Sequence, residues 1–140
     1  MKFLLDTNAV SEWVKPRPDP GVVQWFDQVD EDRTYLSVIT LGEIRKGVER
    51  LAGGRRRDRL DRWLSDELPD RFSDRILPVT TAVADQWGHL LARAETAGKK
   101  IGGTDALIAA TALVHSLQVV TRNIAHFQPT GVHILRPWQN

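Results

Sequence analysis

The sequence predicts an α/β sandwich built on a parallel sheet, and three observations carry that prediction. Short β-rich apolar runs recur at 2–5, 35–39, 75–79 and 118–121, with a weaker one at 132–135. The segments between them place their apolar residues at a helical period. No internal repeat, low-complexity tract or linker interrupts the alternation, so helices covering one sheet of four to five strands are expected. A chain of 140 residues holds one domain with a real core and is too short for two, so residues 1–140 are expected to form one unit.

Residues 2–5 form a short apolar run that reads as a buried strand. Residues 7–15 read as helix, with Val10, Trp13 and Val14 at i, i+3, i+4 spacing. Lys15-Pro16-Arg17-Pro18-Asp19-Pro20-Gly21 breaks the pattern and must be a loop. A second helix is expected over 21–29, a second strand over 35–39 and a helix over 41–51. Gly53-Gly54-Arg55-Arg56-Arg57 is a loop or a fresh helix start, followed by helix over 58–68 with Leu60, Trp63 and Leu64 on one face. After a strand at 75–79 comes a strongly amphipathic helix over 82–97 (Val83, Trp87, Leu90, Leu91, Ala94) that stops near Gly98. Residues 105–117 form an Ala-rich, nearly apolar helix that should be well buried, and the last two strands follow.

The composition, 41% apolar and 26% charged with a net charge of +1, is that of an ordinary globular protein. Zero cysteine excludes disulfides and thiolate metal sites. The apolar start gives way to Asp6 too soon for a signal peptide, and no run approaches the roughly 18 residues of a membrane span. A soluble, cytoplasmic protein without membrane contact is expected.

Chemistry concentrates in three acids. Asp6 follows the first strand in Leu4-Leu5-Asp6-Thr7-Asn8, Glu43 stands in Thr40-Leu41-Gly42-Glu43, and Asp105 in Gly103-Thr104-Asp105-Ala106. Each has a plain alternative as a helix cap. Thr40-x-x-Glu43 matches a capping box, Asp6 suits an N-cap, and Asp105 in a first turn gains from the macrodipole. Burial argues for more. Asp6 follows a strand expected mid-sheet and Asp105 heads the most apolar helix, where an unpaired carboxylate is costly. In open parallel sheets ligands bind outside the carboxyl ends of the strands, the edge these three acids share. Carboxylates that meet raise each other's pKa unless a cation lies between them, and a hard divalent ion, Mg²⁺ or Mn²⁺, is the economical occupant.

At these residues the chain resembles the PIN-domain ribonucleases, specifically VapC-type toxins of the FitB-like kind. The resemblance runs in order through Leu4-Leu5-Asp6-Thr7-Asn8, Ser37-x-x-Thr40-x-Gly42-Glu43, Asp105-Ala106-Leu107-Ile108-Ala109-Ala110, Thr121-Arg122-Asn123-x-x-His126-Phe127 and Arg136-Pro137-Trp138. It implies a three-layer, Rossmann-like α/β/α fold and Mg²⁺- or Mn²⁺-dependent hydrolysis of RNA by the toxin of a type II toxin–antitoxin pair. Asp6 and Asp105 would be the main metal ligands, and Glu43 would complete the site through the metal or the attacking water. It also implies a cognate VapB-type antitoxin and a homodimer. The chain departs from the family at the late motif, which usually carries an acid where His126 stands and in some members where Asn123 stands. The fourth corner then falls to the Asn123 side chain or a water it holds. Thr121 is a plausible partner for Asn123, and His126 is at most a weak ligand because imidazole suits hard Mg²⁺ poorly. A PIN-fold protein that binds RNA or a partner without cutting is the alternative.

The segment 53–62 holds Arg55, Arg56, Arg57, Arg59 and Arg62 against Asp58 and Asp61. It reads either as an RNA-phosphate patch or as a solvated helix face. Lys46, Arg50, Lys99, Lys100 and Arg122 are better placed for RNA, beside the acids. Of five tryptophans, Trp63 and Trp87 fit core faces, whereas Trp13 and Trp25 are expected to stay partly exposed, where aromatics often mark interfaces. Other α/β chemistries lack their residues. Asp6-Thr7-Asn8 is not the Asp-x-Asp of a haloacid-dehalogenase phosphatase, the paired acids and late lysine of a receiver domain are missing, and no G-x-G-x-x-G follows the first strand.

Overall fold

A computed structural model describes residues 1–139. Five strands, β1 (Phe3–Leu5), β2 (Thr34–Ser37), β3 (Ile76–Leu77), β4 (Gln118–Val120) and β5 (Ile134–Leu135), form one parallel sheet in the order β3-β2-β1-β4-β5. The chain winds outward from β1 through β2 to β3, then returns to lay β4 on the other side of β1. The strand order therefore reverses between β1 and β4, the point at which such folds open a crevice.

Side chains alternate across a strand, and the two central strands bury both sets. Leu5 and Val120 enter one core with Val22, Leu36, Ile44 and Phe72, while Leu4 and Val119 enter the other with Val83, Leu90, Ile108 and Phe127. Helices α1 (Thr7–Ser11), α2 (Pro20–Gln28), α3 (Val38–Glu49), α4 (Arg55–Arg62) and α5 (Leu68–Arg71) supply the first layer. Helices α6 (Thr81–Thr96) and α7 (Gly103–Val114) supply the second, and a short α8 (Ile124–Phe127) follows β4. This is the three-layer α/β/α architecture, with all five strands present.

Several boundaries differ from expectation for identifiable reasons. β2 ends at Ser37, whose hydroxyl accepts from the Ile39 N–H at 3.0 Å and starts α3 there. The helix expected from 41 thus begins at Val38, and Val38-Ile39, which read as strand, are its first turn. Thr40 and Glu43 consequently form no capping box, since Thr40 is buried inside the helix with its Oγ1 unbonded. The helix expected over 7–15 ends at Ser11 and tightens into a 3-10 turn over Glu12–Val14. That expected over 58–68 is interrupted by a π turn over Trp63–Glu67, just before Pro69, which has no N–H for the carbonyl four residues back. α7 stops at Val114, and Ser116 turns with φ 56°, so Leu117 lies outside it. α6 ends at Thr96, close to where it was expected, and the chain turns at Gly98 with φ 68°.

Trp63 is buried, and Trp87 packs half-buried against the second core, donating to the Gly103 carbonyl at 3.3 Å. Trp13 and Trp25 stay partly exposed, as expected, and belong to an aromatic cluster. Trp13 lies 4.4 Å from Phe26, Trp25 5.2 Å from Phe3, and the Arg71 guanidinium covers Trp13.

The segment after β5 closes the first layer. Trp138 is buried, and Asp19 Oδ1 accepts both the Gly21 N–H at 2.9 Å, capping α2, and the Gln139 N–H at 3.0 Å. A Cβ on Gly21 would stand 2.2 Å from the Pro137 carbonyl oxygen, a backbone atom. Gly21→Ala is therefore expected to destabilise the fold by about 2 kcal/mol through overpacking. Urea denaturation checks this, and an unchanged midpoint would refute the close approach.

Candidate functional site

The β1–β4 register places the site. Leu5 pairs with Val120, so Asp6 and Thr121 leave the two strands side by side at the switch point. The Asp6 N–H continues the ladder to the Val120 carbonyl at 2.9 Å, and its side chain caps α1 by accepting from the Thr7 N–H at 2.9 Å. The other carboxylate oxygen accepts from Thr121 Oγ1 at 2.8 Å and from Asn8 Nδ2 at 3.3 Å. Thr121 Oγ1 accepts in turn from Asn8 Nδ2 at 3.3 Å and from the Asn123 N–H at 3.0 Å, while Asn8 Oδ1 accepts from the Arg122 N–H at 3.1 Å. One small network thus ties the end of β1 to the loop after β4.

Glu43 projects from the second turn of α3, where its Oε1 accepts from Thr7 Oγ1 at 2.7 Å. Asp105 lies in the first turn of α7, after Gly102 at the N-cap. Its Oδ2 is 3.4 Å from Nδ1 of the exposed His126. Asn123 is exposed at the N-cap of α8 and joins the network through its backbone N–H. Lys46 and Arg50 line a groove beside Glu43 and Thr7, and the exposed Arg122 follows Thr121.

The electrostatics follow from this placement. Burial pushes the Asp6 carboxyl up to about 6, the hydrogen bonds from Thr121 and Thr7 oppose that, and the charges of Asp105 and Glu43 push it further up. Burial also raises Asp105, with His126 acting in the opposite sense. Asp6 therefore feels the charges of the other two acids, although among the described residues no three His, Cys, Asp or Glu side chains stand close enough together to hold one ion. The donor set is nonetheless hard oxygen around a carboxylate kept ionised against its environment. That chemistry suits Mg²⁺ or Mn²⁺, and Mg²⁺ in particular keeps several waters and takes only one or two carboxylates.

The sequence did not assign roles to Thr7 and Asn8. Thr7 bridges Asp6 to Glu43, and Asn8 bridges Asp6 to the Thr121 loop. Their signal was the abrupt change from apolar to polar residues at the end of β1. Thr121→Val is expected to cost about 1–3 kcal/mol, since it keeps the shape but strands the buried partners of the hydroxyl. It should also raise the Asp6 carboxyl above about 6. An NMR titration of the Asp6 carboxyl alongside urea denaturation measures both, and an unmoved carboxyl would refute the hub role.

In the Arg-rich segment, Arg57 donates to Glu49 at 2.7 Å and to the Leu51 carbonyl at 3.1 Å, and Asp61 receives Arg45 at 2.7 Å. Part of that charge is thereby spent within the fold.

Comparison with known proteins agrees with this geometry. A family model described as PIN domain matches residues 3–129. The chain is 38% identical over 137 residues to VapC ribonuclease Y4jK of Sinorhizobium fredii, covering 98% of each chain. It is 39% identical over 138 residues to Toxin FitB of Neisseria gonorrhoeae, covering 99% of each. The crystal structure of FitAcB from Neisseria gonorrhoeae superposes with a TM-score of 0.92 at 39% identity, covering 99% of each chain.

Proposed function

Since the chain belongs to the PIN-domain family, we propose that it is the endoribonuclease toxin of a type II toxin–antitoxin pair, hydrolysing RNA phosphodiester bonds with Mg²⁺ or Mn²⁺. The observation that carries this is the buried Asp6, held at the switch point by Thr7, Asn8 and Thr121 and coupled by charge to Glu43 and Asp105. Asp6 and Asp105 would hold the ion, and the Asn123 side chain, or a water it holds, would fill the fourth corner. A bound ion supplies an activated water and neutralises charge on the phosphoryl oxygen. Glu43 is fixed through Oε1 by the Thr7 hydroxyl, which leaves Oε2 to accept a proton from the attacking water. Lys46, Arg50 and Arg122 provide cations for RNA phosphates.

The toxin role rests on the similarity to Toxin FitB and to a VapC ribonuclease. A VapB-type antitoxin is the partner this reading requires. The apolar trough between α1, α3 and α4, lined by Val14, Ile44, Val48, Leu51, Leu60 and Trp63, suits a protein segment. Residues 1–140 act as one PIN domain, as a homodimer, in the cytoplasm where its RNA lies. No helix among the described residues is long and apolar enough to cross a membrane.

Incubation of the purified protein with RNA in Mn²⁺ and in EDTA tests the proposal. Cleavage is expected only with the ion, and none under either condition refutes it. A second reading has its own support, because Asn123 and His126 stand where acids are usual and the three carboxylates do not close on one ion. On that reading the protein binds RNA or a partner without cutting. Calorimetry with Mn²⁺ separates the two, since a non-cleaving protein with a degenerate site gives no heat of ion binding.

A further inference from the structure

The cations around the site differ sharply in what already holds them. Arg45 is engaged by Asp61, Glu49 and Ser65, and Arg57 by Glu49 and the Leu51 carbonyl. Lys46 in the last turn of α3 and Arg50 at its C-cap, one turn apart, make no side-chain hydrogen bond or ion pair among the described residues. Both line the groove that runs from Glu43 and Thr7 along α3. Gly42 and Gly47 line the same groove, and a Cβ at either would meet nothing within 4 Å. Neither glycine has a positive φ. Neither the backbone nor the packing therefore asks for glycine there, while each weakens the helix relative to alanine.

On the reading that this is a ribonuclease, we propose that the α3 groove is the track of the single-stranded RNA leading away from the cleaved bond. Lys46 and Arg50 hold successive phosphates, and Gly42 and Gly47 keep the floor low enough for the strand. Charge selects the occupant. The one-turn step between the two cations, about 6 Å along the axis, is comparable to the step between neighbouring phosphates of an extended strand. The groove passes Glu43 and reaches Thr104, the neighbour of Asp105, so a strand seated in it delivers a phosphodiester to the acids.

The test measures binding of a short fluorescein-labelled single-stranded RNA by anisotropy across a salt series, beside thermal melting and cleavage. Lys46→Ala and Arg50→Ala should each weaken binding and reduce the salt slope by about one. Gly47→Leu should melt at the same or a higher temperature yet bind RNA at least several-fold more weakly. That pairing is one a merely structural glycine does not produce. Unchanged affinity and slope in all three variants, with the parent cleaving RNA, overturns the groove and leaves the nuclease reading intact. Affinity that falls only in step with melting temperature also overturns it. A parent that binds RNA through these residues but never cleaves it sustains the groove and refutes the nuclease.

Discussion

Asp6→Asn and Asp105→Asn are each expected to reduce RNA cleavage by on the order of a hundredfold or more, with the fold retained. Loss of a partner one shell out from a metal already costs about 10–100-fold in affinity or activity, and these two carboxylates are proposed as direct ligands. Asparagine keeps the shape and most of the hydrogen-bonding capacity, so circular dichroism should be unchanged. Asp70→Asn, at an exposed position on α5, serves as the matched control and should cleave like the parent. Full activity in both site variants, correctly folded, would remove the acids from the mechanism.

The second large effect runs the other way. With EDTA present, the parent protein should be less stable at pH 7.5 than at pH 5. The Asp6 carboxyl is raised from 3.8 to about 6, so the folded state holds this proton more tightly than the unfolded chain does. The contribution of Asp6 to stability is therefore greatest below about 4, and declines as pH rises through the window from about 4 to about 6. Above that window the cost of keeping Asp6 ionised is about 3 kcal/mol as an order of magnitude. Asp105, also raised, adds in the same direction. Asp6→Asn removes the ionisation but weakens the bonds to Thr121 and Asn8. A net gain of about 1–2 kcal/mol at pH 7.5 is expected, with a flatter pH profile. Urea denaturation at the two pH values reads this out. A parent that becomes more stable between pH 5 and pH 7.5 without metal contradicts the assigned environment of Asp6. A single substitution that disables cleavage and strengthens the fold indicates a residue retained for chemistry.

What was legible in the chain was whatever depends on local pattern. The strand runs, the long helix ending near Gly98 and the order of the three acids all come from periodicity and punctuation. The start of α3 was misread because Val38 and Ile39 are β-branched, and the cap lay at Ser37 rather than at Thr40. The hub at Thr121 was only half visible. Its bonds to Asn8 and Asp6 span 113 and 115 residues and exist only because β4 lands beside β1 in one register. Nor does sequence distinguish Arg57 and Arg45, neutralised across helices, from Lys46 and Arg50, which face open space.

The pairing of β1 with β4 also bears on when the activity can exist. Asp6 leaves the ribosome before the hydroxyl that donates to its carboxylate, which is 115 positions later. Closing so long a loop comes late in folding. A ribosome-bound chain that stops short of Thr121 has the acid but not its setting, so partial translation products are expected to be inert. For a protein whose finished form attacks RNA, that delay is a safeguard supplied by strand order alone.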